Sequence, residues 1–135
     1  MNASGLEMER DVDNHQYSDG ILFRDLEGND EVIFNYLTWV EIIKAIIVEF
    51  SKKTPQAAEE LVINSSISNI PPANSNEVFI LSHELEYHWA MLIVHGERYW
   101  SRGVSSKLPE GYFEWDHKYR VENGLAKESF VHLAT

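Results

Sequence analysis

The chain has 135 residues, enough for one domain with a single sizeable core. It contains no cysteine, which excludes disulfides, Cys-ligated zinc, iron–sulfur clusters and thiol catalysis and makes the reducing cytoplasm the simplest home. The formal net charge is −11, and residues 1–31 alone carry nine acids against two bases, a field that repels nucleic acid and anionic membranes.

Residues 1–20 lack periodicity and are rich in Asn, Asp, Ser and Gly, so they read as a flexible acidic arm preceding a single globular domain over 21–135. The arm has no apolar core of a signal peptide, and no later run approaches the ~20 apolar residues that span a bilayer. Ile21 to Phe23 suit a short strand or extended clip, and Asp25 to Asp30 is turn-like. From Asp30 to Lys52, apolar residues recur every three or four positions, including Val32, Tyr36, Trp39, Val40, Ile43, Ile47 and Phe50. That spacing predicts an amphipathic helix capped by Asn29 or Asp30, with Glu41, Lys44 and Glu49 off its apolar stripe. Thr54-Pro55 starts a second helix to about Asn64, because Thr caps well and Pro suits the first helical position. The Ser65 to Asn76 stretch, with its two prolines, reads as a loop.

Asn74 and Glu77 resemble a capping box for a third helix from about Asn76 to Val94. Leu85, Tyr87, Trp89, Met91 and Ile93 also alternate, however, so a β-hairpin at about 87–102 is the alternative. Pro109 opens a last helix to about Asn123, with Tyr112, Trp115 and Tyr119 on one face and Gly124 as its stop. Leu125, Phe130 and Val131 are tail residues able to dock on the body. The expected fold is an all-α small helical bundle with an irregular N-terminal arm, the alternative being α+β with the hairpin at 87–102.

The stretch Ser82 to Gly103 concentrates histidines and large aromatics around the apolar run Trp89 to Val94. His83-Glu84 and His88 are spaced one residue too long for the zinc-binding HExxH arrangement, and the Glu-x-x-His pairs of di-iron bundles are missing. Acid–base chemistry at Glu84, Glu86, His88 and His95 lacks an accompanying nucleophile motif or phosphate loop. A small enzyme or metal-binding protein using Glu84, His88 and His95 is therefore the alternative reading; no catalytic residue, metal or cofactor is assigned. Tyr87, Trp89, Tyr99, Trp100, Tyr112, Phe113, Trp115 and Tyr119 are expected mostly in the core, since nucleobase stacking also requires a cationic groove.

Protein recognition remains. Asp25, Glu27, Asp30 and Glu31 precede the expected core, and Glu110, Glu114, Asp116 and Glu122 follow it. These eight acids are the candidate contacts for a basic partner, chosen on charge, because complementary charge speeds association and sharpens specificity. The segments HELEYHWAMLIVHGERYW, LPEGYFEWDHKYR and LAKESF, within Asn29 to Phe130, resemble small bacterial immunity proteins of polymorphic toxin systems, of the contact-dependent growth-inhibition type. That resemblance implies a non-enzymatic antitoxin that binds and neutralises a cognate toxin domain, often a basic nuclease; the acidic charge argues for no nucleic-acid or membrane partner.

Overall fold

The computed structural model describes residues 17–25, 27, 28 and 30–133. In chain order these form β1 (Ile21–Arg24), β2 (Glu31–Phe34), α1 (Tyr36–Ser51), α2 (Pro55–Ile63), α3 (Ser66–Asn69), α4 (Ser75–Ser82), α5 (Glu86–His95), a 3-10 turn (Tyr99–Arg102), α6 (Tyr112–Glu122) and β3 (Phe130–Leu133). The fold is mixed α+β and helix-rich, which corrects the all-α expectation. Its sheet has the order β1-β2-β3 with both pairings antiparallel. Nor does the sheet lie where the alternative put it, because residues 87–102 contain α5 and the 3-10 turn.

The helix expected from Asp30 starts later, at Tyr36, because Val32 and Phe34 alternate into the core as strand residues. Phe23, Val32 and His132 share one row of the sheet, and Ile21, Phe34 and Phe130 share the next. Phe34 and Phe130 stack with centroids 4.8 Å apart, and Phe79 of α4 stacks on His132 at 5.8 Å. α4 therefore covers this face of the sheet. Expected cap Asn29 lies outside the described residues, as does residue span 1–16 of the arm, and Asn35 occupies the cap position without capping through its side chain. The open N–H groups of the first turn are met from outside the helix instead. Asp19 accepts from the Thr38 amide and hydroxyl, both at 2.8 Å, and the Ser18 carbonyl accepts from Tyr36 and Leu37. Nearby, Tyr17 is buried edge-on against Tyr36.

α1 is the central element. Trp39, Ile42, Ile43, Ile46 and Ile47 are fully buried, and the helix packs on α5, α2 and α6. Its β-branched content weakens intrinsic helix propensity, so packing holds it. Lys52, at φ 56°, ends it in the left-handed conformation. Thr54 then caps α2 by accepting from Ala57, as its sequence predicts.

The Ser65 to Asn76 loop contains the short α3, whose Ser68 donates to the Val62 carbonyl and whose Ser68 carbonyl accepts from Tyr36. The single helix expected over 76–94 is two helices broken at 83–85. The Ser82 hydroxyl and the His83 ring both bond to the Phe79 carbonyl, competing with the backbone ladder. The Trp89 indole donates to the freed Leu81 carbonyl at 2.9 Å. Asn74 does cap α4 by accepting from Glu77, while Glu77 accepts from Ala73 rather than from the cap residue.

Candidate functional site

Three sites concentrate charge or polar side chains, and α6 contributes to two of them. Tyr112, Trp115 and Tyr119 recur at helical spacing on α6, as expected, and Tyr112 and Trp115 turn toward Phe50 of α1. Trp115 meets Phe50 edge-on at 5.1 Å and stacks with Tyr119 at 5.5 Å and 27°. On α1, Glu41, Lys44 and Glu49 fall off the apolar stripe and reach the same side, and Glu59 comes from α2. Together they line a groove of about 390 Å³ between the three helices. Lys44 Nζ lies 2.7 Å from Glu41 and 3.8 Å from Glu59. The Glu49 carboxylate has no hydrogen-bond or ion-pair partner among the described residues. Burial pushes the Tyr119 hydroxyl pKa up, Glu41 adds to the shift, and Lys44 opposes it. The groove thus joins an aromatic wall to three carboxylates and one ammonium group.

The neighbouring face of α6 carries a buried cluster. Arg120 donates to Glu86 of α5 at 2.9 Å, to Asp116 at 3.0 Å and to the Ala126 carbonyl at 3.2 Å. Ser129 donates to Glu86, and Thr38 of α1 accepts from the Ala126 amide at 3.0 Å. Burial raises the Asp116 pKa against the pull of Arg120. For Arg120, burial acts to lower the pKa, but Glu86 and then Asp116 hold it above its ordinary value. Two carboxylates around one guanidinium here join α5, α6 and the segment entering β3.

A third concavity, of about 310 Å³, gathers Glu84, Leu85, His88, Tyr99 and Trp100. The His88 ring nitrogen Nδ1 is 2.9 Å from the Tyr99 hydroxyl, and Trp100 is exposed. Burial raises the Tyr99 pKa, with smaller contributions from Tyr87 and Glu84. Glu84 precedes α5, so it does not sit one helical turn before His88 as on a continuous helix. His95 ends α5, and its carbonyl accepts from Arg102. Among the described residues, no group of three or more His, Asp or Glu side chains could hold a metal ion.

The eight acids named on charge have different surroundings. Asp25 and Glu27 line a cleft with Asn74 and Asn76 at the start of α4. Asp30 is exposed beside them in sequence, and Glu31 pairs with Arg24 at 2.7 Å. Glu110 and Glu114 are exposed at the start of α6, and Glu122 reaches Lys118 at 4.0 Å. Asp116 instead turns into the buried cluster. The groove carboxylates Glu41, Glu49 and Glu59 are absent from that set of eight. Their signal was the off-stripe position of Glu41 and Glu49 on α1, but only packing reveals the aromatic wall opposite them. No family model, curated protein or solved structure matches the chain.

Proposed function

We propose that this protein is an immunity-type inhibitor that binds and neutralises a cognate basic toxin domain, of the nuclease class, in the cytoplasm of a bacterium. It acts by stoichiometric protein binding rather than catalysis. The observation that carries the reading is the groove between α1, α2 and α6, where Glu41, Glu49 and Glu59 outnumber Lys44 beside Trp115 and Tyr119. Aromatic side chains and charge complementarity are what a protein interface uses for affinity and for fast, specific encounter. The overall charge of −11 extends that complementarity to long range. The exposed acids Glu27, Asp30, Glu110 and Glu114 would add steering at the rim, where single charges affect association rate more than affinity.

Co-expression with a basic toxin domain encoded next to this chain tests the reading. The two should co-purify in equal amounts, and cells should survive the toxin only when this chain is present. A neighbouring toxin that neither binds nor loses toxicity would refute it.

A further inference from the structure

We infer that the groove between α1, α2 and α6 receives an arginine side chain of the basic partner, its guanidinium lying against Trp115 and Tyr119 and paired with Glu49 and Glu59. This rests on the reading of the protein as a binder of a basic domain and names the chemistry of the contact. Three carboxylates and one ammonium line the groove, so it carries a surplus of negative charge. Lys44 already occupies part of that field, at 2.7 Å from Glu41. At 3.8 Å, its approach to Glu59 is looser, and the Glu59 side chain is 59% exposed. The Glu49 carboxylate has no partner among the described residues, although Lys52 Nζ donates to the Glu49 backbone carbonyl at 3.0 Å, so that carboxylate and the outer side of Glu59 remain open to an incoming cation.

The aromatic wall selects which cation. A guanidinium is planar, weakly hydrated and able to donate two parallel hydrogen bonds to a carboxylate while its face rests on a ring. An ammonium is compact and strongly hydrated, and loses more on entering a walled groove. Trp115 and Tyr119 both line the groove, their ring centroids 5.5 Å apart, and Trp is the strongest cation–π partner. Lys44 is therefore an internal competitor: it keeps Glu41 in place but shares the field that the partner's arginine would use.

A short peptide alternating arginine and glycine, titrated into the full chain and followed by amide and indole NMR, tests the proposal. The Trp115 indole signal and the amides around Glu41, Glu49 and Glu59 should shift together. Glu49→Gln with Glu59→Gln should weaken binding by roughly tenfold, the effect of losing about 1.4 kcal/mol of contact. Trp115→Leu should weaken it too, but Trp115 also packs on Phe50, so the two surface glutamine variants are the deciding ones. A peptide with lysine in place of arginine should bind more weakly, and Lys44→Gln should tighten arginine binding by removing the competing ammonium.

Shifts spread over the β1–β2 hairpin and the rest of the acidic surface would overturn the inference. So would equal binding of the lysine and arginine peptides, or glutamine variants that bind unchanged. A toxin neutralised just as well by the Glu49→Gln, Glu59→Gln chain would refute the groove alone. Arginine-selective binding in the groove, with no neighbouring toxin neutralised, would refute the immunity reading alone.

Discussion

Neighbouring faces of α6 carry two clusters in which carboxylates outnumber a single cation, and the two clusters meet water in opposite ways. Around Arg120, Glu86 and Asp116 are drawn inside, and Ser129 and the Ala126 carbonyl complete the hydrogen bonding. Around Lys44, Glu41 and Glu59 stay at the surface of an open groove, and the Glu49 carboxylate has no partner among the described residues. The guanidinium fork can satisfy several acceptors at once in a dry site, whereas the lysine ammonium acts as a point charge that water screens. Charge stoichiometry alone therefore does not distinguish a clamp from a docking surface. Burial and hydrogen-bond completion do.

The largest expected effect tests the clamp. Arg120→Ala leaves the buried Glu86 and the half-buried Asp116 without their cation and should cost about 3–5 kcal/mol of stability, measured by urea unfolding. A loss of under about 1 kcal/mol, the range of exposed ion pairs, would erase the contrast between the clusters. Replacing Glu86, Asp116 and Arg120 together by apolar residues of similar volume should regain most of that loss, because it removes the desolvation cost along with the attraction.

A subtler effect is the pH dependence contributed by Asp116, whose pKa is raised in the fold by burial. A raised folded pKa means that the folded state holds this proton more tightly than the unfolded chain. The Asp116 contribution is thus fully favourable below the unfolded carboxylate value of ~3.9 and is lost as pH rises through the higher folded value. Asp116→Asn should remove this component, which a series of unfolding curves from pH 3 to pH 7 would detect. Identical pH profiles for the two chains would show that Asp116 ionises as freely folded as unfolded.

The smallest effects belong to the groove. Lys44→Ala should change stability by no more than about 1 kcal/mol, and Glu49→Gln by less, in thermal unfolding. A large loss from either would make the groove a structural clamp as well and would narrow the difference between the two faces.

The local signals in the sequence carried far. Thr54-Pro55, the Asn74 cap, the aromatic face of α6 and the stop at Gly124, where φ is 64°, all follow from residue type at fixed spacing. The sheet was hidden for a physical reason. Val32 and Ile33 continue the helical spacing of Tyr36 and Trp39 without a break, and their strand identity depends on pairing with residues 130–133. The break at 83–85 was masked by the apolar run that crosses it, since the competing bonds from Ser82 and His83 leave the hydrophobic pattern unchanged. Charge counting selected Asp116 as a surface contact, but its i,i+4 partner Arg120 draws it inward. The groove required three helices to be placed before its aromatic and acidic sides could be seen as one site.

The sheet also imposes an order on how the chain acquires its shape. β2 sits between β1, a hairpin partner close by, and β3, which arrives only after every helix has been made. Asn35 reinforces that seam by donating to the Glu128 carbonyl across 93 positions of sequence. During synthesis one side of β2 therefore stays unzipped, with its backbone groups open to any other strand, until the last of these elements leaves the ribosome. Contacts of such long reach close slowly, and an open strand edge is where nascent chains adhere to one another. A chain stalled before Phe130 would therefore be prone to aggregation even with α1 to α6 fully translated.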